Sequence, residues 1–132
     1  MKIKHLEELD TPCLILDKSL LEKNCFNARK KCLELNTILR PHVKTPKSIE
    51  IAKIALDNQI GPITVSTLNE AEYFAGAGFK DILYAVCITP KKLKRLNFIQ
   101  QKYSCTIRIV IDSTYVAQEI LKYSKLHLSL IH

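Results

Sequence analysis

The chain has 132 residues, 47% apolar and 25% charged, with three glycines and no tryptophan, and carries a formal net charge of +7 with a sequence pI near 9.2. That length suits one folded, soluble domain that buries roughly two thirds of its unfolded surface, and it excludes a multidomain or disordered chain. No run approaches the roughly eighteen apolar residues of a membrane span, and the amino terminus, MKIKHLEELD, lacks the apolar core of a signal peptide. A cytoplasmic protein with no membrane partner is expected. The 20 Lys and Arg residues are spread over predicted helices without interleaved aromatics and without an RNA- or DNA-binding motif. Nucleic acid is therefore not the expected partner, and the charge reads as a solvated basic surface or an attraction for an anionic cofactor or substrate. Cys13, Cys25, Cys32, Cys87 and Cys105 show no metal-ligand spacing and sit in apolar runs, which predicts buried, reduced thiols.

In chain order, Pro12–Leu16 reads as a short apolar strand, and Asp17 can cap the helix that follows. That helix, predicted over Lys18–Leu35, places Leu21, Cys25, Ala28, Cys32 and Leu35 in one apolar stripe, with Lys23, Arg29, Lys30 and Lys31 on a wet face. The next stretch, Ile38–Lys47 (ILRPHVKTPK), is the most informative in the chain. Read as a strand, it alternates Arg40, His42 and Lys44 on one side with Leu39, Pro41 and Val43 on the other. Thr45-Pro46 then signals a helix start, which puts Lys44 at the carboxyl end of the strand. Ligands gather at the carboxyl ends of strands in parallel α/β folds. A lysine amine is protonated and unreactive at its ordinary pKa of about 10.4, and desolvation among other cations exposes the lone pair needed for a Schiff base. The competing reading of the same pattern is a half-exposed surface strand ending in a solvated lysine, with His42 a satisfied core histidine.

A helix is predicted over Ile49–Leu56, and a strand over Ile63–Thr67. Thr67 with Glu70 forms a capping box for a short helix closing at Gly76 and Gly78. A third strand spans Ile82–Cys87. Thr89-Pro90 then opens a helix with Leu93, Leu96 and Ile99 inward. The fourth strand, Cys105–Ile111, sets Ile107, Ile109 and Ile111 against Thr106, Arg108, Val110 and Asp112; Ser113 caps a helix to about Lys122. Four strands thus begin near residues 38, 62, 82 and 105, each followed by a helix. This rhythm is a β/α repeat with a parallel sheet, and the polar face kept by most of the strands suits a barrel interior better than a doubly wound sheet. Leu126, Leu128 and Leu130 alternate as the start of a fifth strand would.

The runs LDTPCLILD, RPHVKTPK, VSTLNEAE and GFKDILYA, from about Leu9 to Asp112, resemble the amino-terminal part of the D-threonine aldolase and D-serine dehydratase family. Its signature reads R-P-H-x-K-T-H-K, and this chain departs from it at Pro46, where the family usually has His. The resemblance implies a partial (β/α)8 TIM barrel of the alanine racemase N-terminal type. The expected domain is 1–132, divided into an amino-terminal strand and helix (1–36), four β/α units (37–122) and a divergent tail (123–132).

It implies further that pyridoxal 5'-phosphate is held by Lys44 as a Schiff base, with His42 and Arg40 shaping the surroundings of the amine. Arg108 would neutralise a cofactor oxygen or pair with Asp112 or a neighbouring strand. The parent activity would be a lyase reaction, aldol cleavage or dehydration, on a D-3-hydroxy amino acid such as D-threonine or D-serine. The family also carries a divalent metal, whose His and Cys ligands lie far beyond the matched region, so no metal is expected on this sequence; His127 and His132 read as incidental and His5 as a solvated terminal residue. Family chains continue through four more barrel strands and a β-rich domain, so the chain reads as a fragment with little turnover, and its open edges predict a homodimer or aggregation. The alternatives are a non-catalytic pyridoxal-phosphate-binding protein and a structural remnant of the barrel.

Overall fold

A computed structural model of the chain describes residues 5–122; the tail with Leu126, Leu128, Leu130, His127 and His132 lies outside the described residues. Two helices, α1 (Lys18–Glu34) and α2 (Ile49–Ala55), precede a three-stranded parallel sheet. Its strands are β1 (Ile63–Val65), β2 (Asp81–Cys87) and β3 (Thr106–Val110), lying side by side in that order. Helix α3 (Leu68–Gly76) joins β1 to β2. A 3₁₀ turn at Pro90–Lys92 and helix α4 (Leu93–Tyr103) join β2 to β3, and α5 (Thr114–Lys122) follows.

The register explains which face the helices cover. Ile63, Ile82 and Ile107 form one row and Val65, Tyr84 and Ile109 the next, and all six are at most 1% exposed. Against them pack Leu68, Ala71, Phe74 and Ala75 of α3 and Leu93, Leu96 and Ile99 of α4, with Phe79 edge-on to Phe74 at 5.5 Å between ring centroids. Each such aliphatic side chain contributes about 1.5–3 kcal/mol on burial, so this face carries most of the fold's stability. The intervening row, Thr64, Leu83 and Arg108, points to the other face. Strands that run in sequence order without a reversal, with their fully buried rows on one face, build the wall of a barrel rather than a doubly wound sheet.

Local chemistry sets the element ends. Asp17 Oδ1 accepts from the Leu20 amide at 2.9 Å, Thr67 Oγ1 from the Glu70 amide at 3.1 Å, and Ser113 Oγ from the Val116 amide at 3.2 Å, so each caps its helix as expected. The Glu70 carboxylate reaches one residue further back than in a standard capping box, accepting from the Ser66 amide at 2.8 Å. Gly78 has φ +98°, and a Cβ there would lie 3.1 Å from Ile60 Cδ1, so the turn into β2 requires glycine. Gln100 is buried because its Oε1 accepts from the Ile107 amide at 2.7 Å, which fastens α4 to the start of β3.

Several expectations fail at the amino-terminal end. Pro12–Leu16 forms no strand, and Leu14, Ile15 and Leu16 are exposed, since the segment pairs with none of the described strands and an apolar run is no strand without a partner. Helix α1 contains no buried residue: Leu21, Cys25 and Cys32 are half-buried, while Ala28 and Leu35 are exposed. Arg29, placed on a wet face by its charge, instead donates to the Ile54 and Ala55 carbonyls at 2.7 and 3.3 Å and to Asp57 at 3.3 Å. It satisfies the orphan carbonyls at the end of α2. None of the five cysteines is buried; Cys13 and Cys87 are exposed and the other three half-buried, because Cys13 precedes the first helix in an unpaired segment and the others lie on the peripheral helix α1 and at strand ends.

Candidate cofactor site

Segment 38–44 forms no continuous strand. It meets the sheet at a single parallel bridge, His42 with Thr64, made by the Val43 amide donating to the Thr64 carbonyl at 2.9 Å and the Thr64 amide donating to the Pro41 carbonyl at 2.8 Å. Pro41 has no N–H to extend the ladder, and the chain turns immediately afterwards, with the Lys47 amide bonded to the Val43 carbonyl and Lys47 at φ 45°. Thr45-Pro46 therefore lies within a turn. The helix begins at Ile49, capped by Ser48 Oγ, which accepts from the Ile51 amide at 3.2 Å. The bridge still extends the open-face row, which now runs His42, Thr64, Leu83, Arg108.

Lys44 lies in that turn with its side chain exposed, and its amine makes no hydrogen bond or ion pair among the described residues. Its backbone amide donates to His42 Nδ1 at 3.2 Å, so the neutral ring carries its proton on Nε2, which lies 3.3 Å from Ser66 Oγ at the end of β1. Partial burial, and next the positive charge of Lys44, hold the His42 pKa below the usual imidazole value, with Glu70 opposing them. Ser66 and His42 do not make a hydrolase pair, because Nδ1 faces an amide where a carboxylate would be needed to orient the ring.

Arg40 and Arg108 converge on a residue that the sequence did not single out, Asp81 at the start of β2. Arg40 grips its carboxylate in a fork, Nη1 to Oδ1 at 3.0 Å and Nη2 to Oδ2 at 2.8 Å, and Arg108 Nε donates to Oδ1 at 3.0 Å. The hydrogen bond from Arg40, followed by that from Arg108, keeps the Asp81 carboxyl below the ordinary aspartate pKa against the opposing effect of burial. Arg108 thus pairs with a neighbouring strand, through Asp81 of β2. Asp112 faces Cys87, and the hydrogen bond between them pushes that thiol's pKa up. No signal in the sequence joins Asp81 to arginines 41 residues before and 27 residues after it; only the strand register does.

No family model matches the chain. It is 36% identical over 117 residues to D-threo-3-hydroxyaspartate dehydratase of Delftia sp., covering 89% of this chain and 30% of that protein. It is 39% identical over 94 residues to D-serine dehydratase of Dictyostelium discoideum, covering 67% of this chain and 24% of that one. Among solved structures, an alanine racemase-like protein from Idiomarina loihiensis superposes with a TM-score of 0.88 at 38% identity, over 94% of this chain and 34% of that one. The chain thus spans under a third of the length of these curated relatives. No helix among the described residues is long and apolar enough to cross a membrane. By sequence and by fold, the chain belongs to the D-threonine aldolase and D-serine dehydratase family, corresponding to the amino-terminal part of its alanine racemase-like barrel.

Proposed function

We propose that this chain is the lysine-bearing part of a pyridoxal-phosphate-dependent lyase for D-3-hydroxy amino acids, with Lys44 as the residue that carries the cofactor. The observation that supports this most is the placement of Lys44: an exposed side chain with no hydrogen bond or ion pair among the described residues, at the carboxyl end of the first barrel segment, near His42 and Ser66. When bound through a lysine amine, pyridoxal phosphate supplies a sink for electrons released at the substrate's Cα. The chain's own residues fit that group on one side. Lys44 offers the amine, His42 fixes the turn that presents it by accepting from the Lys44 amide, and the Nε2–H directed at Ser66 sets the ring's orientation. Arg40 and Arg108 act in this reading through Asp81 rather than on the cofactor, since their guanidinium groups are bonded to it.

A second reading, cofactor binding without turnover by this chain, is favoured by the exposure of Lys44 and by the engagement of both arginines on the open face. Titration with pyridoxal phosphate tests the shared part: saturable absorbance near roughly 420 nm that is absent in Lys44→Ala is expected. Indistinguishable spectra of the two proteins would remove the proposal. Assays with D-serine, D-threonine and D-threo-3-hydroxyaspartate then divide the readings, and the 132-residue chain alone is expected to show little or no product.

A further inference from the structure

We propose that Asp81 is the positioning residue for Lys44, an inference that rests on Lys44 being the cofactor lysine. Among the described residues, two backbone hydrogen bonds tie segment 38–44 to the sheet through its main chain. At about 0.5–1.5 kcal/mol net each, they specify register weakly, and a slip of one residue would turn every side chain of the segment to the opposite face. Pro41 closes off any further pairing towards Arg40. Beyond the buried Val43 side chain and the His42–Ser66 contact, the segment is held by the Arg40 side chain, two residues before His42 and on the same face.

A planar guanidinium held by both oxygens of a carboxylate accepts one position and one orientation, unlike a lysine point charge. Arg40 Nη1 also lies 3.4 Å from the Ile63 and Asp81 carbonyls, at the first residues of β1 and β2, so the fork sets the height of the segment against both strands. Asp81 is itself held from the far side by Arg108 of β3. One carboxylate therefore locks the lysine-bearing segment to all three strands, and it is the part of the open face where side-chain bonds replace missing ladder bonds.

The test compares residue-resolved amide exchange in the full 132-residue chain and in Asp81→Asn, which keeps the shape and removes the charge. The Val43 and Thr64 amides should exchange at least about tenfold faster in the variant, while those of Leu96 and Ile109 change by less than about twofold. Arg40→Lys, which keeps the charge and loses the fork, carries the same expectation and replaces Asp81→Asn should that variant not fold. Unchanged Val43 and Thr64 amides, or equal acceleration of all four, overturns the proposal. Borohydride trapping of added pyridoxal phosphate separates the two claims. A wild-type chain without an adduct on Lys44 defeats the cofactor reading, whereas an adduct equally abundant in wild type and in a variant with loosened Val43 and Thr64 defeats the positioning role.

Discussion

On the helix-covered face of the sheet, Ile63, Val65, Ile82, Tyr84, Ile107 and Ile109 are closed off from water by α3 and α4, whereas on the opposite face the same strands present Thr64, Leu83 and Arg108 beside a carboxylate shared by two arginines. The first face is held by burial, which is strong and indifferent to pH. The second is held by charge and by hydrogen bonds at half-exposed positions, which stabilise the fold little but fix direction. Stability and site geometry are therefore carried by different residues on strands only a few residues long, and substitutions can address one without the other.

The largest effect should come from the packed face. Phe74→Ala removes a fully buried ring and its edge contact with Phe79, and chemical denaturation should show a loss of about 3–5 kcal/mol. Gln100→Ala leaves the buried Ile107 amide without its acceptor and should cost about 1–3 kcal/mol in the same measurement.

The open face should respond to acid instead. The folded Asp81 carboxyl titrates below its unfolded value of 3.8, so its stabilisation is complete above that pH and is lost as the pH falls through the depressed folded value. His42, also depressed in the folded chain, adds a loss that begins as the pH drops below the unfolded imidazole value of 6.5. Asp81→Asn should flatten the lower window of a stability-against-pH profile and leave the upper one. Loss of both windows in that variant would tie the two groups together and break the division drawn here. The smallest change in stability, within about 0.5 kcal/mol, belongs to Lys44→Ala, whose exposed amine has no partner among the described residues. A large drop in its thermal midpoint would mean that the cofactor position also supports the fold.

What the sequence made legible follows from locality. The helix caps at Asp17, Thr67 and Ser113 are written within three residues of their partners, and the inward positions Leu93, Leu96 and Ile99 follow from helical spacing. The β/α rhythm and the RPHxKT run placed Lys44 at the end of the first barrel segment. Strand extent was harder, because an apolar run becomes a strand only where it pairs with a neighbour: Pro12–Leu16 pairs with none of the described strands, and Ile38–Lys44 met β1 at one bridge before Pro41 and the turn at Lys47 ended the pairing. The Asp81 clamp was invisible because its partners are neighbours only after β2 and β3 align. Arg29 was misread for a related reason, since a charge on a helix reads as solvated until another helix end with unpaired carbonyls is brought beside it.

The most direct test of the central claim is peptide mapping after the chain is incubated with substoichiometric pyridoxal phosphate and reduced with borohydride. The stable pyridoxyl group is expected to concentrate on the peptide containing Lys44. A label distributed evenly over the exposed lysines, with no preference for Lys44, would contradict the assignment of Lys44 as the cofactor lysine.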